Sequence, residues 1–151
     1  MTTLVRSILS LTVAILLAGC VDYQPHVEGE IDLAHRDATA SLLRLRIFPD
    51  HPDGFDPRRI YTGDREFASE TIEIDAIEFP HAFDLVGHEE PDHNAKERWR
   101  ALAWIGDEAE DTWIRPGQTF GTAAFTFEHE PHTAMHADGI VIELDAIAPP
   151  P

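Results

Sequence analysis

Leu43-Arg44-Leu45-Arg46-Ile47-Phe48 opens with a strict alternation of apolar and basic side chains. In an extended strand successive Cβ atoms point to opposite faces, so Leu43, Leu45 and Ile47 share one side and Arg44 and Arg46 the other. A helix would need apolar spacings of three and four, which here bring charged residues onto the apolar face. The same period recurs at Ile72, Ile74 and Ala76 against Glu73 and Asp75, and at Ile140, Ile142 and Leu144 against Glu143 and Asp145. Segments near residues 27–34, 41–48, 71–77, 80–86, 98–105, 119–127 and 139–147 are each of ordinary strand length and are separated by Pro, Gly, Asp and His. They predict an all-β chain, a single antiparallel β-sandwich of about seven strands. Asp92 to Arg100, where Asn94 offers a helix cap, reads as a loop feeding a strand. Pro149-Pro150-Pro151 cannot join a ladder and reads as a tail.

The first residues have a different character. One positive charge, Arg6, and no acid precede an apolar run from Ile8 to Ala18. That run is about half the ~20 residues that a spanning helix needs, which suits a removable secretory signal. It ends in Leu17-Ala18-Gly19-Cys20, which resembles the lipobox of bacterial lipoproteins. The resemblance implies cleavage between Gly19 and Cys20, a diacylglycerol on the Cys20 sulfur and an N-acyl chain on its new amino terminus. Two or three acyl chains hold a protein at a bilayer for practical purposes permanently, at about 0.8 kcal/mol per buried methylene. Val21, rather than aspartate, follows the cysteine and implies an outer-membrane address over an inner-membrane one. The expected layout is a signal peptide over 1–19, the lipidated cysteine and a short tether over 20–26, a β-sandwich over 27–148 and a proline tail over 149–151.

Composition narrows the class further. The chain of 151 residues carries 28 acidic against 11 basic side chains, a formal net charge of −17, and loss of Arg6 with the leader makes the remainder one unit more acidic. Nucleic acid and anionic bilayer surfaces both demand a basic footprint, so neither is expected as a partner surface. The single cysteine rules out a disulfide within the folded part, whose stability must come from its core.

The strand residues carry a second resemblance. Leu43 to Phe48, Phe79-Pro80-His81-Ala82-Phe83-Asp84-Leu85, Trp99-Arg100-Ala101-Leu102-Ala103-Trp104-Ile105-Gly106-Asp107 and Gly139-Ile140-Val141-Ile142-Glu143-Leu144 together resemble transthyretin-like or carboxypeptidase-regulatory-like β-sandwich modules. The same segments are similar to pilotin-like outer-membrane lipoproteins. Both resemblances imply the fold; neither carries a catalytic signature, and no functional residue is transferred from them.

Catalytic motifs are sparse. Beyond the leader the only serines are Ser41 and Ser69, neither in the Gly-flanked turn of a nucleophile elbow, and there is no phosphate-binding Gly-rich loop. His88-Glu89-Glu90-Pro91-Asp92-His93 spaces its imidazoles by five around a proline, which cannot place both on one helical face as zinc proteases require. Glu128-His129-Glu130-Pro131-His132-Thr133-Ala134-Met135-His136-Ala137-Asp138 is the richer constellation, with imidazoles three and four apart among carboxylates, suited to Zn²⁺, Cu²⁺ or Ni²⁺. If the last strands alternate in direction, the loops at 87–97 and 128–138 leave the same end of the sandwich, and His88 and His93 can approach His129, His132 and His136. Set against this is the plainer expectation of solvated, charged loops. The acid-rich stretches Asp50 to Asp56 and Asp107 to Asp111 offer oxygen ligands for Ca²⁺ without the spacing of a helix-loop-helix calcium site.

Period two on the strand from Arg98 to Ile105 groups Trp99, Ala101, Ala103 and Ile105 on one face and Leu102 and Trp104 on the other. Leu102 and Trp104 are therefore candidates for an exposed contact patch for a protein or glycan, unless a loop or the chain's own termini cover them. Arg44 and Arg46 are expected to pair across the sheet with acids such as Glu73 or Asp75. The function these features favour is a non-enzymatic envelope lipoprotein whose sandwich is an interaction or structural module for an envelope protein or glycan. Two alternatives remain: a divalent-metal-binding lipoprotein using the His-rich loops, and a hydrolase or glycan-modifying enzyme with paired carboxylates among Asp84, Glu89, Glu90 and Asp107.

Overall fold

A computed structural model of the chain describes residues 24–34, 41–59, 65–87, 97–107, 113–128 and 134–150. Residues 1–23, with Leu17, Ala18, Gly19 and Cys20 and the expected signal segment, the histidines His88, His93, His129 and His132, and Glu89 and Glu90 lie outside the described residues.

The strands are β1 (His26–Leu33), β2 (Leu42–Pro49), β3 (Ala68–Glu73), β4 (His81–Val86), β5 (Trp99–Gly106), β6 (Thr119–Phe125), β7 (His136–Leu144) and β8 (Ala146–Ile147). They form two facing sheets, a three-stranded one in the order β4-β1-β7 and a five-stranded one in the order β3-β2-β5-β6-β8. The expected all-β sandwich is what the chain folds into. Its core lies between the sheets: Leu43, Leu45 and Ile47 of β2 and Ala101, Ala103 and Ile105 of β5 meet Val27 and Ile31 of β1 and Ile140, Ile142 and Leu144 of β7. These are the positions that period two assigns to one face, because a slip of one residue would turn this apolar set out to water.

Three departures have local causes. The segment read as a strand over 71–77 stops at Glu73, and Ile74–Ala76 turn as a short 3₁₀ helix. Ile74 is buried there while Ala76 is exposed, so the alternation does not continue through the turn. The segment at 139–147 is two strands: after Leu144 the chain leaves the three-stranded sheet at Asp145, and Ala146–Ile147 add to the edge of β6 in the other sheet. Finally, β1 and β7 run parallel, unlike every other described pairing. Antiparallel hairpins follow from short connections, whereas β1 and β7 are joined by most of the chain and no turn dictates their relative direction.

The outer face of the five-stranded sheet is not bare. Leu102 and Trp104 do point away from the main core, as period two requires, but both are buried in a second cluster with Phe48, Trp113, Ile114 and Ala148, flanked by Phe55 and Phe120. The segments after β2 and β5 fold over this face and are tied together by the Trp113 indole N–H, which donates to the Pro57 carbonyl at 3.2 Å. The end of the chain is fastened here too: Ala148 donates to the Gln118 carbonyl and accepts from Gly117 N–H, both at 2.9 Å. The contact patch expected at Leu102 and Trp104 is thus corrected to a covered secondary core. Within it the Trp104 indole N–H is buried with no hydrogen-bond partner among the described residues. Trp104→Phe is therefore expected to cost no more than about 1 kcal/mol, because deleting an unmet buried donor offsets the lost ring volume. Urea titration followed by circular dichroism measures it, and a loss of several kcal/mol would show that the indole nitrogen is satisfied after all.

The arginines of β2 also settle differently. The β2–β3 register sets Arg44 opposite Thr71 and Arg46 opposite Ser69, so neither faces Glu73 or Asp75. Arg44 donates to Thr71 Oγ1 at 3.4 Å, while Arg46 forms an ion pair with Glu66, just before β3, and lies over the Trp113 ring at 5.7 Å from its centroid.

Candidate functional site

Strand direction gathers one end of the sandwich. The start of β1, the end of β4 and the start of β7 are neighbours, since His26 pairs with both Val86 and His136. On the facing sheet, the start of β5 and the end of β6 meet at the Trp99–Phe125 pair. Phe67, Trp99, Phe125 and Phe127 close the core at this end through ring contacts with centroids 5.0–6.0 Å apart. Backbone bonds knit the three-stranded sheet below it: Gly87 N–H donates to Pro25 O at 2.8 Å, and His26 N–H to Met135 O at 3.2 Å. Glu128 and His136 exchange two bonds, at 2.7 and 3.1 Å.

The residues that flank both His-rich loops, Gly87 with Glu97 and Glu128 with Ala134, therefore stand at this same end, as the alternation of strands anticipates. Of the histidines proposed from spacing, His136 is described, and its neighbours are not the ones spacing named. Its ring stacks on His26 with centroids 6.0 Å apart and an interplanar angle of 20°. Its Nε2 lies 3.8 Å from Asp138 Oδ2 and 4.0 Å from Glu128 Oε2. His26 Nε2 in turn lies 3.5 Å from Glu28 Oε1.

A bulge in β7 makes this cluster. Val27 pairs with Ala137 but Gly29 pairs with Ile140, so β7 holds one residue more than β1 across that step. Gly139 takes φ = 67°, a left-handed conformation that suits glycine, and the strand resumes its inward alternation at Ile140. Asp138 is left on the outer face beside His26 and Glu28. Ligand atoms of His26, Glu28 and Asp138 all lie within 4.8 Å of one another. Sequence spacing alone does not find His26 or Glu28, because they meet β7 through a parallel pairing that no local pattern encodes. The dipeptide Asp138-Gly139 is the one sequence sign of the bulge.

The other proposed sites fare differently. Asp84 lies exposed on the outer face of the three-stranded sheet, opposite Glu28. Asp107 follows the far end of β5 in the other sheet, so these two carboxylates are not brought together. In the acid-rich loop after β2, Asp50 is committed to arginine: Arg100 Nε and Nη2 bind its two carboxylate oxygens at 2.7 and 3.1 Å, and Arg98 stands 3.5 Å away. Asp56 Oδ1 accepts the Arg58 backbone N–H at 3.0 Å. Asp50, the first oxygen donor of that acid-rich stretch, thus serves a structural ion pair. Of the second acid-rich stretch, only Asp107 is described.

No family model matches the chain, and no curated protein matches it. Among solved structures, the chain is similar to an alternative pilotin from the type II secretion system of Vibrio cholerae, at 13% identity and a TM-score of 0.43, over 78% of this chain and 94% of that one. Among the described residues, no helix is long and apolar enough to cross a membrane.

Proposed function

We propose that the chain is an envelope lipoprotein, acylated on Cys20 and carrying its β-sandwich as a non-enzymatic interaction module. The observation that carries this reading is the Leu17-Ala18-Gly19-Cys20 junction set so close to the first strand. Pro25 is buried and its carbonyl is bonded to Gly87, so the chain is fixed to the sandwich at that residue. Cys20 to Pro25 can reach at most about 18 Å, at ~3.6 Å per residue. An acylated Cys20 would hold the sandwich close to the bilayer with the β1-start end, and the roots of the His-rich loops, facing the lipid.

A partner would then meet the outward end or the sheet edges. β3 and β4 are edge strands of the two sheets. Among the described residues the outer edge of β4 has no strand paired to it, and Val86 there is 45% exposed, a surface suited to an added strand from an envelope protein. The absence of an aspartate after Cys20 favours the outer membrane.

Growth with labelled palmitate tests the anchor. The wild-type protein is expected to take up label and to fractionate with membranes, and Cys20→Ala is expected to lose all the label. An unlabelled wild-type protein would overturn the proposal. In-cell crosslinking from the β4 edge, at Asp84 or Val86, then identifies what is bound.

A further inference from the structure

We propose that His26, Glu28 and Asp138, with His136 alongside, form a site for a divalent transition-metal ion of the Zn²⁺ type on the outer face of the three-stranded sheet. The site differs from the one that loop spacing suggests: its ligands come from two paired strands and a bulge, and it shares only His136 and Asp138 with the His-rich segment. It does not depend on acylation of Cys20.

Geometry is the first ground. The ligand atoms of His26, Glu28 and Asp138 fall within 4.8 Å of one another. Ligands around one tetrahedral zinc stand about 3.4 Å apart, given bonds of roughly 2.1 Å. Closure by about an ångström is therefore needed, and it falls to the side chains of Glu28 and Asp138, which are exposed and can change rotamer. The imidazoles are held more firmly. Both are largely covered, they stack on one another, and each presents Nε2 to a carboxylate.

Charge is the second ground, and it is independent of the first. On the outer face of this sheet Glu28 stands directly opposite Asp84, and Asp32 opposite Glu143, with Glu30 between them on β1. Like charges directly opposite one another destabilise a sheet. None of the residues of β1, β4 or β7 is Lys or Arg, so these strands supply no fixed positive charge to offset the repulsion. A bound cation would provide it. An imidazole among two carboxylates, with a second imidazole beside them, favours zinc and its first-row neighbours over Ca²⁺ or Mg²⁺, which take oxygen ligands.

The test is calorimetric titration of the full chain in detergent with Zn²⁺, paired with thermal unfolding. The wild type is expected to bind one ion and to melt at a higher temperature with zinc than without. Glu28→Gln and His26→Ala are each expected to weaken binding by at least about tenfold, a loss seen even when outer-shell partners of a metal are removed. Glu28→Gln also relieves the repulsion with Asp84, so its metal-free melting temperature is expected to stay level or rise while its zinc-induced shift shrinks. A merely structural role for Glu28 would not move these two readouts in opposite directions. The loop double variant His129→Ala/His132→Ala is expected to keep its affinity. Zinc binding that is lost in the loop variant and kept in Glu28→Gln and His26→Ala would overturn the proposal, as would a wild type that does not bind zinc.

Discussion

Replacing Asp50 with alanine is expected to lower the stability of the folded chain by about 3–5 kcal/mol, the scale found when one member of a buried ion pair is removed. The Asp50 side chain is 6% exposed and that of Arg100 12% exposed, so both charges are largely out of water. Their bond is a two-pronged one between guanidinium and carboxylate, and Arg100 is further held by Thr122 Oγ1 at 2.9 Å and lies over the Phe55 ring. With Asp50 gone, the guanidinium keeps its desolvation cost and loses its counter-charge. The backbone bond from residue 50 N–H to the Arg98 carbonyl is open to alanine as well, so the loss falls on the side-chain pair alone. Arg98→Ala is the control: that side chain is 66% exposed and 3.5 Å from Asp50, and its loss should cost less than about 1 kcal/mol. Denaturant midpoints for the two variants measure the contrast. Similar midpoints would mean that water reaches Arg100.

Gly121→Ala is expected to be nearly as severe, about 3 kcal/mol, although it adds a single methyl group. Gly121 sits on β6 facing the interior, where β6 packs along β7. A Cβ there would run into the Glu143 carbonyl group and stand 3.0 Å from Ile142 Cγ2. The obstacle is mainly backbone, which cannot rotate aside, so β6 and β7 would have to separate there. Gly54→Ala makes the informative comparison. Gly54 has φ = 87° but nothing within 4 Å of its added carbon, so only the conformational cost of about 1–2 kcal/mol should appear. Equilibrium unfolding ranks the pair, and an equal loss would mean that the β6–β7 approach is softer than the packing indicates. Natural domains have only about 5–15 kcal/mol in hand, so either Asp50→Ala or Gly121→Ala removes a substantial share.

Strands whose inner face is apolar and outer face polar were legible in the sequence, and β2 is the plainest case. Leu43, Leu45 and Ile47 alternate with arginines, and the structure buries the first set and leaves the arginines partly covered. β5 was legible in its division of faces but not in its surroundings. Leu102 and Trp104 looked like a surface because the loops that cover them, around Phe55 and Trp113, carry no periodic pattern that points back to β5. At 71–77 the alternation misled, since Ile74 is apolar for the sake of a buried turn. Of the candidate metal site, His136 and Asp138 were visible as part of a His-rich segment, whereas His26 and Glu28 were not: they lie more than a hundred residues earlier, in a strand whose partners a period cannot name.

The sequence by itself determined the period-two segments, hence an all-β chain with one buried face per strand, and an apolar run from Ile8 to Ala18 that precedes a lone cysteine. These are local properties, written in residue order and read through the geometry of an extended backbone. Only the tertiary structure decided which strands are neighbours. The parallel union of β1 with β7, the second core over β5 and the meeting of His26 with Asp138 all rest on contacts between distant parts of the chain, selected by how much apolar surface the two sheets and their loops can jointly remove from water.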